Sequence, residues 1–225
     1  MSQKFPEVQG GGSLIVAWQI RNKHVLVVGG GEVGFFLSKN DARYFLYKMN
    51  LPEIHQLTCE IRIQVASGRI LHALNADANV TVVCPKSGLN EEVAYRVAQN
   101  QVSHIDRNFE PHDLDNADMV LCAIDDPEAS TQVWKLCKKH RIPANIADVP
   151  PECDFYFGSM HRDGPLQIMV STNGNGPKLA NIVRQKIAQT LPQNTGAAIE
   201  NVGLLRKKLR EIAPDTQEGP KRMKW

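Results

Sequence analysis

No apolar run in this sequence approaches the ~20 residues that a membrane-spanning helix needs, so no helical membrane span is expected. Charge of one sign is not in excess either. With 26 Lys and Arg against 24 Asp and Glu the net charge is +2, and no strong field points to nucleic acid or to an anionic membrane surface. The five cysteines, Cys59, Cys84, Cys122, Cys137 and Cys153, are scattered, and none stands in a Cys-x-x-Cys pair. That argues against a structural zinc site and for a reduced, cytoplasmic location. The stretch Met1 to Gly12 lacks the basic-then-apolar order of a signal peptide. There are no internal repeats. What remains is an ordinary globular composition, 42% hydrophobic and 22% charged over 225 residues, enough for one sizeable domain and a smaller one.

Within that frame one stretch organises the rest. Lys23-His24-Val25-Leu26-Val27-Val28 is a short, β-branched apolar run that ends in Gly29-Gly30-Gly31. It reads as a buried parallel strand turning into a phosphate-binding loop. Glycine there permits positive φ and close backbone approach to a pyrophosphate at the N-terminus of the next helix. The fingerprint Gly29-x-Gly31-x-x-Gly34 fits formally, but Phe35 to Asp41 has poor helical spacing. A better helix starts later, with Ala66, Ile70, Leu71 and Leu74 on one face, closed by Asn75 and Asp77. Val80-Thr81-Val82-Val83 then makes a second strand. A first β-α-β arm usually takes ~30 residues, whereas Lys23 to Val83 spans about 60. Removing Val33 to Gln64 restores the shorter span and the fingerprint, now Gly29-x-Gly31-x-x-Ala66. A valine codon begins with GT and glutamine can be encoded by CAG, so an unspliced intron read in frame is expected here; a genuine surface insertion is the alternative.

Further along, Glu91 to Asn100 reads as a helix, Val102 to Ile105 as a third strand and Asp118 to Ile124 as a fourth. Asp126, Pro127 and Glu128 start a helix as N-cap, first position and first-turn acid. Val133, Leu136 and Cys137 form its buried face. Lys138-Lys139-His140-Arg141 suits that helix's C-terminus better than a nucleic-acid patch. Ala144 to Ala147 is a fifth strand, ending in Asp148. Alternating strands and helices make a doubly wound parallel sheet, whose ligands bind beyond the carboxyl ends of the strands. The glycine loop, Cys84-Pro85-Lys86, Asp125-Asp126 and Asp148 all fall at such ends, so they are expected in one crevice. A further strand is expected at Ser13 to Trp18. After Pro151, Phe155 to Gly158 and Leu166 to Val170 flank Asp163-Gly164 as a hairpin. The polar loop Ser171 to Pro177 leads into a helix with Leu179, Ile182, Val183, Ile187 and Leu191 on one face, either a second anion site or a plain connection. A last helix runs from Asn201 to Ile212, stopped by Pro214.

Five stretches occur in a telling order: Val27 to Val33, Ala123-Ile124-Asp125-Asp126-Pro127, Asn145-Ile146-Ala147-Asp148, Cys153-Asp154-Phe155-Tyr156-Phe157-Gly158 and Ser171-Thr172-Asn173-Gly174. Together they resemble the siroheme synthase family in its fungal bifunctional form, precorrin-2 dehydrogenase and sirohydrochlorin ferrochelatase. The likeness runs from about Ser13 to the end, except residues 34–64, which the family lacks. It implies a Rossmann-like doubly wound sheet (13–150), a small α+β dimerisation and substrate region (151–192), and the start of a helical C-terminal region (193–225). It also implies NAD as cofactor, ferrous iron as a substrate, tetrapyrrole substrates and a homodimer. The family's dual-purpose aspartate falls on Asp148, a carboxylate able to accept protons in both steps; a cap or turn role before Pro150 is the alternative. Cofactor contacts carry over to Gly29, Gly30, Gly31, Glu32, Val33, Pro85, Lys86, Ala123 and Ile124. Ser171, Thr172, Asn173, Gly174 and Lys178, with Arg162, are candidates for the substrate's carboxylates.

Two departures stand beside the likeness. The extra segment breaks the cofactor loop, and the chain is expected to stop early in the C-terminal region. No acid ends the second strand to hold an adenine ribose, so NAD over NADP follows from the family alone. Other readings stay open: an unrelated Rossmann oxidoreductase, or a nucleotide-binding or dimerising module with impaired catalysis.

Overall fold

A computed structural model describes residues 11–31 and 65–214 of the chain. They form two compact units, Ile15–Tyr156 on one side of the division and residues 11–14 with 157–214 on the other.

The first unit is built on a five-stranded, all-parallel sheet in the order β3-β2-β1-β4-β5. The strands are β1 (His24–Val28), β2 (Asn79–Val83), β3 (Ser103–Ile105), β4 (Met119–Cys122) and β5 (Ala144–Ile146). Three helices connect them: α1 (Val65–Leu74), α2 (Glu91–Ala98) and α3 (Pro127–His140). The period of two explains the unbroken apolar text of β1. Val25 and Val27 pack with Ile70 of α1 and Val93 of α2, while Leu26 and Val28 pack with Val133 and Cys137 of α3. A sheet covered on both faces needs apolar side chains at every position. Each such burial is worth ~1.5–3 kcal/mol before entropy is counted. The strand order reverses between β1 and β4, the switch point at which such sheets bind ligands.

Local chemistry sets the ends of α3. The Asp126 carboxylate accepts from the Glu128 and Ala129 amides at 2.9 and 3.1 Å, and Pro127 opens the helix. At the far end Arg141 takes a left-handed conformation, with Lys138, Lys139 and His140 in the last turn. Lys138 is held by the Asp154 carboxylate. Burial works against the Asp154 charge, but the Lys138 ammonium and the Ala144 amide hold its carboxyl below the usual range.

The second unit holds an antiparallel hairpin, β6 (Ser159–Asp163) and β7 (Leu166–Val170), with helices α4 (Pro177–Thr190) and α5 (Thr195–Ile212). Asp163 pairs with Leu166 across a two-residue loop, Gly164-Pro165. The Asp163 carboxylate also accepts from the Gly196 amide at 2.8 Å, an anion at the start of α5.

Four sequence expectations are corrected. Ser13 to Trp18 forms no strand; Leu14 is 88% exposed, and only Trp18 finds an aromatic partner, meeting Phe155 edge-on at 5.4 Å. The first hairpin strand is Ser159–Asp163, not Phe155 to Gly158, because the tight loop fixes the register from its own side. The buried face of α1 is Ala66, Ile70 and Ala73, with Leu71 left outside. The last helix begins six residues earlier than Asn201, anchored by the Asp163 to Gly196 contact. Glu32, Val33 and the segment 34–64 lie outside the described residues, as do 215–225.

Candidate functional site

The carboxyl ends of β1, β2, β4 and β5 make one rim of the first unit. On it β1 turns at Gly29, whose φ is +94°. The Gly29 amide donates to the Val83 carbonyl at 3.0 Å, and the Ala123 amide donates to the Val28 carbonyl at 2.8 Å. A Cβ at Gly29 would lie 2.2 Å from the Ala123 carbonyl oxygen. At Gly30 it would meet Cys84 Sγ and Leu89 Cδ2, each at 2.8 Å. The Gly30 carbonyl accepts from the Asn90 amide at 2.8 Å. Pro85 leads into one 3₁₀ turn, Lys86–Gly88, and the Lys86 amide donates to the Asp106 carboxylate at 2.7 Å. Burial, with Asp106 nearby, pushes the Cys84 thiol up to about 11. Only glycine fits at position 29, where the loop passes against the backbone beyond β4, and the result is a backbone surface against which a pyrophosphate can lie.

Helix α1 reaches the same rim. Ala66, in its first turn, packs with Ala123 and Ala147 in a cluster of small buried side chains. Small residues let the helix start sit close to the strand ends, as a dinucleotide site requires at its third small position. No acid stands in the first turn of α1, so no first-turn carboxylate repels an anionic ligand at its N-terminus. These residues fit a dinucleotide.

Asp148 stands two residues past the end of β5, after Ala147, with φ at +59°. Several contacts hold its turn. The Ala147 amide donates to the Cys122 carbonyl at 2.9 Å. The Cys153 thiol donates to the Ile146 carbonyl at 3.1 Å and lies 3.5 Å from the Val149 carbonyl oxygen, bracing both sides of Asp148. The Tyr156 hydroxyl donates to the Pro150 carbonyl at 3.1 Å. Asn145, buried in β5, donates to the Phe155 carbonyl at 2.7 Å, and the Asp154 carboxylate accepts from the Ala144 amide at 2.9 Å. The run Cys153 to Tyr156 is therefore the brace of the Asp148 turn. Burial raises the Cys153 thiol above its ordinary value, which keeps it a donor.

In the second unit Ser171, Thr172, Asn173 and Gly174 form the loop before α4. The Ser171 hydroxyl accepts from the Asn173 amide, and Thr172 Oγ1 accepts from the Gly176 amide, both at 3.1 Å. Asn173 and Gly174 have φ of +51° and +82°. The Asn173 side chain also engages Ser13 and the Gly11 carbonyl. Lys178 is exposed in the first turn of α4. The Arg162 Nε donates to the Gly164 carbonyl at 3.4 Å. Gly29, Gly30, Gly31, Pro85, Lys86, Ala123, Ile124 and Asp148 thus share the first unit, and Ser171 to Gly174, Lys178 and Arg162 the second.

Sequence reasoning passed over Arg69. Its Nη1 donates to the Cys122 carbonyl at 2.9 Å. The signal was its place three residues after Ala66, on the face of α1 that meets the sheet. Among the described residues no group of three or more His, Cys, Asp and Glu side chains could hold a metal ion, and no helix is long and apolar enough to cross a membrane.

Comparison with known proteins agrees along the chain. Residues 64–159 match the family described as putative NAD(P)-binding, 163–190 the central region of sirohaem biosynthesis proteins, and 192–225 their C-terminal region. A siroheme biosynthesis protein of Schizosaccharomyces pombe is 50% identical over 226 residues, covering 100% of this chain and 74% of that protein. Its counterpart in Saccharomyces cerevisiae, also a siroheme biosynthesis protein, is 30% identical over 245 residues, covering 95% and 80%. A siroheme synthase of Thioalkalivibrio sulfidiphilus is 35% identical over 153 residues, 68% of this chain but only 31% of that longer protein. Among solved structures, SirC, a precorrin-2 dehydrogenase, shares the fold with a TM-score of 0.64 at 18% identity, over 93% of this chain and 86% of that one.

Proposed function

The chain belongs to the siroheme biosynthesis family, and from that membership we propose that it oxidises precorrin-2 to sirohydrochlorin with NAD and then accepts ferrous iron as a substrate to make siroheme. The observation that carries this reading is Asp148, set by a braced left-handed turn on the same rim as the glycine loop. NAD bound at that loop supplies the acceptor for one hydride.

The chain's own residues do the rest. Gly29, Gly30 and Gly31 offer backbone to the pyrophosphate. Pro85 and Lys86 after β2, and Ala123 and Ile124 after β4, would hold the rest of the dinucleotide. Removing a hydride and a proton from precorrin-2 leaves the proton to be taken up, and a carboxylate oxygen of Asp148 accepts it. Iron insertion releases two protons from the macrocycle nitrogens, and the same carboxylate receives them in turn and passes them to water. Ser171, Thr172, Asn173, Gly174 and Lys178, with Arg162, bind the substrate's carboxylates through N–H groups, hydroxyls and positive charge.

The working unit is a homodimer in the cytoplasm. Leu179, Val183 and Ile187, spaced by four along α4, are 51%, 38% and 37% exposed in the single chain, an apolar stripe suited to a second copy. Ala66 clusters with Ala123 and Ala147, the place of the fingerprint's third small residue, which favours reading the sequence from Val33 to Gln64 as a retained intron over a genuine surface insertion. Purified protein mixed anaerobically with precorrin-2 and NAD+ should yield the sirohydrochlorin spectrum, and added Fe2+ should convert it to siroheme. Absence of sirohydrochlorin contradicts the reading.

A further inference from the structure

The Cys122 carbonyl stands at the end of β4 with two hydrogen bonds. One comes from the Ala147 amide, the last rung between β4 and β5, and one from Arg69 Nη1, both at 2.9 Å. A carbonyl has two acceptor sites, and the ladder uses one. Here a guanidinium fills the other. The next residue after that rung is Asp148, in a conformation that non-glycine residues seldom adopt. Arg69 rises from α1 one turn after Ala66, which itself touches Ala123 and Ala147. The helix that opens at the cofactor loop is thereby tied to the strand end that presents the carboxylate.

We propose that Arg69 is a positioning residue for Asp148: by sharing the Cys122 carbonyl with the Ala147 amide, it fixes the exit of β5 and couples the start of α1 to the proton-accepting carboxylate. The proposal rests on the reading of Asp148 as that acceptor. An arginine suits the place because its guanidinium stays charged when partly buried and its fork reaches more than one acceptor. Burial lowers its proton affinity, and Cys153, Cys122 and Asp148 act in the opposite sense. Cys153 braces the same turn from the other side, at the Ile146 and Val149 carbonyls. The turn is thus clamped by one residue on α1 and one beyond β5.

The test compares Arg69→Met and Arg69→Lys with the unaltered full chain in two arms. The first needs no catalysis: amide hydrogen exchange, read residue by residue. Arg69→Met should speed exchange at Ala147 and Val149 by about tenfold, the size that losing a hydrogen bond to a charged group gives. The Gly29 and Ala123 amides should keep their rates, and Arg69→Lys should recover most of the protection. The second arm is precorrin-2 oxidation. Arg69→Met should lower kcat by about tenfold or more while the KM for NAD+ stays within about twofold, and Arg69→Lys should restore part of kcat. Unchanged exchange at Ala147, or faster exchange at every rim amide alike, overturns the positioning role. If the unaltered chain does not oxidise precorrin-2, the functional reading fails, and the exchange arm still decides whether Arg69 holds the turn.

Discussion

Gly29 and Ala123 sit so close that a methyl group on the glycine would overlap the alanine's backbone: its Cβ would lie 2.2 Å from the Ala123 carbonyl oxygen. A backbone oxygen cannot move aside as a flexible side chain can. The φ of +94° adds strain of its own for any L side chain. Gly29→Ala is therefore expected to destabilise the first unit by at least ~1–3 kcal/mol and to weaken NAD+ binding. Thermal denaturation and a fluorescence titration with NAD+ check both, and a variant with ordinary stability and affinity contradicts the close packing of β1 on β4.

The fit of Ala66 against Ala123 and Ala147 leads to a second expectation. Deleting residues 33–64 joins Glu32 to Val65 and gives the loop the length of an ordinary β-α-β arm. The shortened chain should fold with the same far-ultraviolet spectrum and bind NAD+ at least as tightly as the full chain. Loss of folding on deletion would show that the segment is required.

Buried thiols give the chain an alkaline weakness. Burial pushes Cys84 and Cys137 up to about 11 and Cys122 up to about 12, from an ordinary 9.0. In the unfolded chain these thiols lose their protons first, so the folded state holds more protons above pH 9. Their contribution is complete below about pH 9 and is lost as pH rises toward their folded values. Cys122→Ala should flatten the fall of unfolding free energy above pH 9 by up to about 1.4 kcal/mol per pH unit. Urea denaturation at several alkaline pH values measures it, and parallel slopes for the two proteins contradict it.

The stripe on α4 tests the assembly. Glutamate at Leu179 and Val183 places two charges on the apolar face and alters no residue of the first unit. Sedimentation velocity should show a dimer for the unaltered chain and a monomer for the double variant. A monomeric unaltered chain would contradict the assignment of this face.

Much of the fold was legible because its signals are local. β1, β2 and β4 carry enough consecutive apolar residues to mark buried strands, and Asp126-Pro127-Glu128 marks the start of α3 by capping chemistry alone. The positions of the glycines after β1 and of Asp148 after β5 followed from reading those two stretches as strands. What failed to show depends on distant partners. Ser13 to Trp18 has the residues of a strand but pairs with no strand among the described residues. The hairpin register depends on a two-residue loop, while the aromatic residues at 155 and 156 were committed to Trp18 and Pro150. Cys153 and Arg69 brace the Asp148 turn through carbonyls far from them in the chain or hidden by the turn itself. No spacing rule announces such contacts. The exposed stripe of α4 was legible as a face, but a single chain does not bury it.

The central claim is that the carboxylate at position 148 takes up protons from the macrocycle. Asp148→Asn is the cleanest probe, because asparagine tolerates a φ of +59° and so removes the charge without adding strain. The measurement is anaerobic turnover of precorrin-2 by the variant, beside its dissociation constant for NAD+. Turnover should fall by ~10²–10⁴-fold, the usual contribution of a general base, with NAD+ affinity nearly unchanged. Turnover equal to that of the unaltered chain would contradict the account.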